Sequence, residues 1–449
     1  MSKVVVIGAG YLGLPTGIWL TDLGHEVTVV ECAQDRLASL RRRQPPFSCP
    51  ELHSRLEAAC STDRLTFELS LGDCQPKVDV GMVALAVPAD TRPDGSVDLS
   101  VLVTVLKTVV AWQPARDAIV CVRSTLSVGD SAQMLAAIGD SDLPNRYVYW
   151  PAFLRQHRAF VDLARPDRIV LGSGTTQVAN RFVNRILPAD LHNRVLTMSF
   201  EAAEAVKQMS NSVLAVNQVL AAELASICEK YTIEPEAVFQ GIAADFRIGQ
   251  EILEHRPGLC DLCLSKDLSA MCRVAGVNGE LLSSAARRSD ELRRLAVQNV
   301  VGHVCRIGPQ PNVAIVGLGY APGVGDTRGA LSPQLLTALQ GRAKVRVWDG
   351  YADVSAVIGA TPGVEAFPSL ELCLESADVA VLLVDHPELQ QVDWKTQAES
   401  MRGARPIFDF AHALFASQRG ASEFCHPWYT PGVCTFCSFE VPPREPDTS

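Results

Sequence analysis

The chain has 449 residues, 47% of them hydrophobic and 20% charged, enough to bury more than one core. Its formal charge of −10 argues against a nucleic-acid surface, and no basic run reverses that. No uninterrupted apolar run reaches the roughly 20 residues of a membrane span, and 14 dispersed cysteines do not form the disulfide framework of a short secreted domain; the expectation is a cytoplasmic protein with reduced thiols.

The opening MSKVVVIGAGYLGLPTGIWL reads as strand, glycine turn and helix; it lacks the basic start and cleavage site of a signal peptide. KVVVIGAG, EVTVVE, VGMVALAVP, AIVCVRS and RIVLGSG follow one another with helical stretches between them, the pattern of a parallel sheet with crossover helices. From Ser199 to Tyr231 runs one helical period without glycine or proline, long enough for a spine between domains or a dimer interface. A second helical region covers Leu281 to Val300, and then strands return in PNVAIVGLGYAPG, AKVRVWDG, DVAVLLVDH and RPIFDFA. The Pro-rich, charged tail SFEVPPREPDTS reads as frayed. The fold class is therefore α/β, two Rossmann-like doubly wound domains joined by a long central helix. The expected boundaries are 1–198, 199–300 and 301–449.

Gly8, Gly10 and Gly13 stand in G-x-G-x-x-G spacing directly after a strand, with Tyr11 and Leu12 between them. Such a turn lets backbone approach a pyrophosphate at a helix N-terminus. Its confirming partner is Glu31, at the end of the second strand, 23 residues beyond Gly8. A carboxylate there accepts from both ribose hydroxyls and repels a 2′-phosphate, which favours NAD over NADP; Arg36 nearby works the other way. The second glycine run, VGLGYAPGVGDTRG, does not fit dinucleotide spacing and leaves a nucleotide phosphate or a domain contact open.

GAGYLGLPTG, VRSTLSVGD, PDRIVLG, DFRIGQEIL, CLSKD and GLGYAPGVGDTRG, in this order and over nearly the whole chain, resemble the nucleotide-sugar dehydrogenase family, known from UDP-glucose and GDP-mannose 6-dehydrogenases. The resemblance implies a homodimer on the central helix, NAD as cofactor and a nucleotide-sugar substrate. It also implies oxidation of a sugar C6 hydroxyl through an aldehyde to a carboxylate. The second oxidation needs the aldehyde held as a tetrahedral adduct, which a cysteine thiolate provides, and the resulting thioester needs donors for its oxyanion. By motif, Cys263 takes the nucleophile position, with Lys266 toward the cofactor and Asp267 among the catalytic groups. Lys207 and Asn211, four apart on one helix face, match the family's oxyanion donors, and Thr125 matches a threonine that positions the hydroxyl or its water. Phe153, Leu154, Arg155 and Gly258 fall in substrate segments. Arg247 matches an arginine that reaches the substrate across the dimer interface, and Arg328 one near the cofactor and subunit contacts.

The chain also departs from that pattern. The family's G-Y-G-G-S-C loop here reads Gly258, Leu259, Cys260, Asp261, Leu262, Cys263, which adds side chains and a negative charge close to the thiol. In the family's N-P-E-F-L-R-E segment, Trp150, Ala152 and Gln156 replace an asparagine and two glutamates, and neither Ala nor Gln is a general base near pH 7. Ala321, Ala411 and Cys49 stand in place of a lysine, an arginine and a glutamate. Three outcomes stay open: the full reaction, an oxidation that stops at the aldehyde or takes an unusual substrate, and NAD binding without turnover. No metal site is assigned. Cys260 with Cys263, and Cys434 with Cys437 beside Cys425 and His426, have C-x-x-C spacing, which chance also produces among so many cysteines.

Overall fold

The structure is a computed structural model that describes residues 1–74, 79–90, 92, 96–231, 233, 235–249, 256–403 and 406–411. The tail cysteines and the SFEVPPREPDTS segment lie outside the described residues. The chain divides into two compact units, Met1–Asn211 with Arg273–Gly276, and Ser212–Cys272 with Val277 onward.

The first unit carries strands β1 (Lys3–Ile7), β2 (Glu26–Val30), β3 (Leu65–Glu68) and β4 (Val80–Leu85). Then come β5 (Ile119–Val122), β6 (Tyr147–Tyr149), β7 (Ile169–Ser173) and β8 (Val195–Met198). Its helices are α1 (Gly13–Asp22), α2 (Gln34–Arg41), α3 (Leu52–Cys60), α4 (Ser100–Trp112), α5 (Asp130–Ile138), α6 (Ala159–Ala164) and α7 (Thr176–Ile186). The eight strands pair in the order β3-β2-β1-β4-β5-β6-β7-β8. The chain starts at mid-sheet, winds outward to one side and then to the other, so its switch point lies between β1 and β4, above the glycine turn. Alternation explains why such strands read as continuous apolar runs: Val4 and Val6 enter the core on one face, Val5 and Ile7 the core on the other.

All five strands expected here are present, and β3, β6 and β8, of three or four residues each, are additions. One detail corrects the purely parallel expectation. β6 pairs with β7 antiparallel; the link between them holds a 3-10 turn at Gln156–Arg158 and the six-residue α6, whose Phe160 and Leu163 anchor it in the core.

Helix α8 (Phe200–Lys230, 31 residues) matches the uninterrupted run from Ser199 to Tyr231 and contributes to both units. By length and composition its Phe200–Cys228 stretch is the one helix among the described residues long and apolar enough to cross a membrane, and much of it is buried inside the structure. In the second unit, the C-terminal part of α8 packs with α9 (Pro235–Ala243), α10 (Leu262–Ala275) and α11 (Glu280–Ile307) around Ala222, Phe239, Leu268 and Leu292.

The second sheet holds β9 (Asn312–Val316), β10 (Lys344–Trp348), β11 (Val364–Ala366), β12 (Val379–Leu382) and β13 (Ile407–Asp409). All five are parallel, in the order β11-β10-β9-β12-β13. Helices α12 (Ser332–Leu339), α13 (Val354–Ala360), α14 (Leu370–Leu374) and α15 (Trp394–Ser400) connect them. Val313 and Ile315 face one core and Ala314 and Val316 the other.

Candidate active site

The dinucleotide turn sits between β1 and α1. Gly8 has φ +100°, and a Cβ there would stand 2.5 Å from the carbonyl oxygen of Ala86. A Cβ on Gly13 would fall 1.9 Å from the oxygen of Gly8, so helix α1 can start only without one. Gly10 differs: nothing lies within 4 Å of its added Cβ, so the turn is closed beneath and open above. Helix α1 begins without a side-chain cap, which leaves its positive end for an anion.

Glu31 is 4% exposed and clasps this turn from β2. Its Oε2 accepts from the Ala9 amide at 3.2 Å and from Arg36 at 3.2 Å, and its Oε1 accepts from the Ala33 amide at 2.9 Å. A carboxylate offers about four acceptor directions, so ribose hydroxyls still find lone pairs. The Tyr11 ring packs on Phe47 at 4.2 Å between centroids, tying the turn to the loop before α3. Gly8, Gly10, Tyr11, Leu12 and Gly13 thus form one turn at the start of α1, open at Gly10, with the Glu31–Arg36 pair beside it.

At the end of β5 the Thr125 loop is fastened to α8. Glu204, fully buried, accepts from the Gly129 amide at 2.7 Å and the Ser131 amide at 2.8 Å, satisfying the first N–H groups of α5. Burial pushes the Glu204 carboxyl up, against those hydrogen bonds. Gln208 donates to Ser127 Oγ at 3.2 Å. These contacts come from the helix face that carries Lys207 and Asn211, 8% and 7% exposed. Lys207 Nζ lies 5.4 Å from the centroid of the Phe153 ring, and Arg168 lies 4.3 Å from it while bonding Ser210. Lys207 and Phe153 are thus in contact, while Thr125 lies just ahead of the tied Ser127–Ser131 segment and Asn211 lies one turn beyond Lys207 on α8. Leu154 packs into the sheet core, and Arg155 forks onto Asp162 at 2.8 and 3.2 Å.

The residues that depart from the family pattern have structural settings of their own. Trp150, 5% exposed, packs against Phe182 and Trp19, and the guanidinium of Arg123 stacks on it at 3.6 Å. Arg123 was not singled out from sequence. Its Nε and Nη1 find no partner among the described residues, and burial brings it down to about 10, so it stays cationic at neutral pH. Cys49 and Gln156, two replaced positions, touch: the Cys49 thiol donates to the Gln156 carbonyl at 3.0 Å. Burial and then Glu51 push that thiol up to about 11.

In the second unit, Asp261 explains itself locally. Its Oδ1 accepts from the Cys263 amide at 2.6 Å and its carbonyl from the Ser265 amide at 3.2 Å, which makes it the N-cap of α10. Cys263 is exposed in the first turn of that helix, where the backbone partial charge favours an anion. Lys266 and Asp267 lie on the same helix, Asp267 only 1% exposed. Gly258 has φ +75°, and a Cβ there would meet the Ser289 carbonyl at 2.4 Å, so its glycine requirement comes from close packing on α11. Cys260 packs against the core of the second sheet, and burial pushes its thiol up. Neither cysteine of this C-x-x-C is in a disulfide, and no cluster of three metal-ligating side chains occurs among the described residues.

Arg247 and Arg328 share one device. Asp245 and Asp326, each two residues earlier, accept from the arginine's backbone amide and grip its guanidinium. Both arginine heads are thereby held in an exposed posture, 76% and 62% accessible. Around the C-terminal ends of β9, β12 and β13, the second sheet's switch point, Arg256, Pro257, Cys260, Gly319, Tyr320, Leu331, Leu383 and Phe410 line a cleft. Ala321 and Ala411 are buried.

Comparison with known proteins agrees with this layout. Models of the UDP-glucose/GDP-mannose dehydrogenase family match in chain order: the NAD-binding domain over residues 2–187, the central domain over 201–290 and the UDP-binding domain over 314–416. A UDP-glucose 6-dehydrogenase of Pseudomonas aeruginosa is 30% identical over 436 residues, covering 93% of this chain and 95% of the relative. UDP-glucose 6-dehydrogenase YwqF of Bacillus subtilis is 27% identical over 398 residues, 87% of this chain and 89% of its own. Among solved structures, a UDP-glucose dehydrogenase from Pyrobaculum islandicum shares the fold with a TM-score of 0.80 at 24% identity, covering 93% of this chain and 95% of that one. A UDP-D-ManNAc dehydrogenase from Pyrococcus horikoshii does so at 0.76 and 22%, covering 92% and 96%. The chain is a divergent member of the UDP-glucose/GDP-mannose dehydrogenase family, with NAD as its cofactor.

Proposed function

We propose that the protein oxidises the C6 hydroxyl of a UDP-hexose such as UDP-glucose to the uronic acid, with Cys263 as the covalent nucleophile. The observation that carries this reading is the exposed Cys263 thiol in the first turn of α10, whose start is fixed by the Asp261 cap. NAD, when bound, supplies the hydride acceptor for each oxidation.

The chain's own residues then divide the work. Gly10 leaves room for the pyrophosphate and Glu31 holds the ribose. Thr125 orients the reacting hydroxyl. The Cys263 thiolate adds to the aldehyde carbon, giving a thiohemiacetal whose oxidation leaves a thioester. Water attacks the thioester carbon, and the C–S bond breaks to release carboxylate and thiol. Lys207 and Asn211 donate to the oxyanion of each tetrahedral species. Asp267 assists as a catalytic carboxylate, and Phe153, Leu154, Arg155 and Gly258 contribute to the substrate site. Lys266 and Arg328 serve the cofactor side. Each sugar passes two hydrides to two NAD and takes one water.

The active form is a cytoplasmic homodimer. Met209, Val213, Leu220 and Ile227 repeat on one face of α8 and are 44 to 60% exposed, an apolar stripe that a second copy of the chain would cover. Arg247 then reaches the substrate of the neighbouring subunit.

The test is to incubate the full chain with NAD and a panel of UDP- and GDP-sugars, follow the reduced cofactor and weigh the product. Two reduced cofactors and one uronic acid per UDP-glucose are expected, with the acid lost in Cys263→Ala. Absence of turnover with every nucleotide sugar sinks the reading, and accumulation of aldehyde confines it to the first oxidation.

A further inference from the structure

Arg293, on α11, is only 8% exposed and was not marked by any motif. Its guanidinium spends its donors on main-chain carbonyls of two separate loops. Nη1 donates to Leu259, just ahead of Cys263, and to Gly329 at 2.8 Å; Nη2 donates to Ala330 at 2.9 Å. One turn earlier, Ser289 accepts from the Leu259 amide at 2.8 Å, while its carbonyl closes on Gly258. The two loops also touch directly, since a Cβ on Gly329 would meet the Leu262 amide nitrogen at 2.7 Å. At the start of the first loop, Arg256 donates to the Tyr320 carbonyl at 2.7 Å. The guanidinium lies beside Cys260 as well, drawing its thiol down against the stronger effect of burial.

We propose that Arg293 is a positioning residue that locks the Cys263 loop and the Arg328 loop onto α11 as one body, so that thiol and arginine keep a fixed relation. Two carbonyls of one loop and one of the other share a single planar fork, so neither loop shifts without breaking bonds that hold its neighbour. The acceptors of Leu259, Gly329 and Ala330 are main-chain carbonyls, which lets the clamp set backbone position without depending on their side chains. The catalytic consequence rests on the role given to Cys263 above; the clamp itself does not.

Hydrogen exchange of the full chain, read by mass spectrometry, tests it in Arg293→Met, Arg293→Lys and Ser289→Ala. Exchange over 257–264 and 327–331 should rise together by about 10-fold or more in Arg293→Met, with peptides from β1, β2 and β10 unchanged. Arg293→Lys, with one compact head in place of the fork, should restore part of the protection. Should the methionine variant fail to fold, the lysine and Ser289→Ala variants carry the test, the latter loosening 257–264 more than 327–331. In turnover, Arg293→Lys should lower kcat about 10-fold while KM for NAD stays put, as misplacement of a reacting group does. Protection unchanged in either loop or a uniform rise across the unit would each overturn the clamp, and wild-type kcat in Arg293→Lys would overturn its catalytic consequence. A wild-type chain without turnover refutes the role of Cys263 instead; the exchange pattern alone then decides the clamp.

Discussion

The protein contains the same turn twice, with opposite outcomes. After β1 the chain reads Gly8-Ala9-Gly10-Tyr11, and after β9 it reads Gly317-Leu318-Gly319-Tyr320. In each, the first glycine amide bonds the last residue of the neighbouring strand, Val30 at 2.8 Å or Trp348 at 2.9 Å. In each, the next strand supplies a carboxylate to the turn, Glu31 to Ala9 and Asp349 to Leu318. The difference lies in what fills the space above. The added Cβ of Gly10 meets nothing, whereas that of Gly319 falls 2.1 Å from the Val324 carbonyl. Asp349 is saturated by the amides of Leu318, Gly319, Tyr351 and Ala352 and by His386, whose Nδ1 accepts from Gly323. A glycine turn with a carboxylate partner is therefore a scaffold, and whether it binds a dinucleotide depends on whether the protein has already occupied it.

Substitutions on both sides can break that comparison. The largest effect is expected from Gly319→Ala, which drives a methyl into backbone and should cost about 3 kcal/mol or more by denaturant unfolding, with NAD affinity retained. Loss of NAD binding without loss of stability would mean the second turn is a ligand site after all. Gly10→Val should do the reverse, weakening NAD about 100-fold, or about 2.7 kcal/mol, in a fluorescence titration with little change in melting temperature.

Asp349→Asn comes next. Burial pushes this carboxyl up, but the His386 hydrogen bond and charge and the Leu318 and Ala352 amides outweigh it and bring it down to about 2. A depressed carboxyl contributes stability that is complete above its ordinary value near 4 and lost as pH falls toward 2. The variant should be about 2 kcal/mol less stable at pH 7 and should lack that acid limb in a pH series of melting curves. An unchanged acid limb would show that the pair does not control it. The smallest effect is expected for Glu31→Gln, about 10-fold weaker NAD and a narrower preference over NADP, because Arg36 is freed for a 2′-phosphate. Undiminished discrimination between the two cofactors would remove Glu31 from the ribose.

Much of the scaffold was legible because its signals are local. An unbroken apolar period foretold α8 to within a residue at each end, and β-branched runs marked β1, β2, β4, β5, β7, β9, β10, β12 and β13. The strands that escaped, β3, β6, β8 and β11, are three or four residues long; β5, β12 and β13 are as short but lie inside the longer apolar stretches AIVCVRS, DVAVLLVDH and RPIFDFA. Asp261 looked like a charge intruding on the thiol, although an aspartate before LCLSKDL is also a helix-start signal, and that is the role it takes. Glu204, Arg123, Ser289 and Arg293 left no such trace, since each acts on groups at least 27 residues away or on a ring brought in from another strand.

By itself, then, the sequence determined the α/β class, the long helix, the dinucleotide turn with Glu31 and the motif order that carries the family. Periodicity and spacing encode these within a few dozen residues, and backbone geometry translates them directly. Only the tertiary structure decided which glycine turn stays open, which carboxylates are already used as caps, and that one buried arginine joins the loops of Cys263 and Arg328. Those outcomes depend on excluded volume and on the pairing of donors with distant carbonyls, quantities that exist only once the chain has folded back on itself.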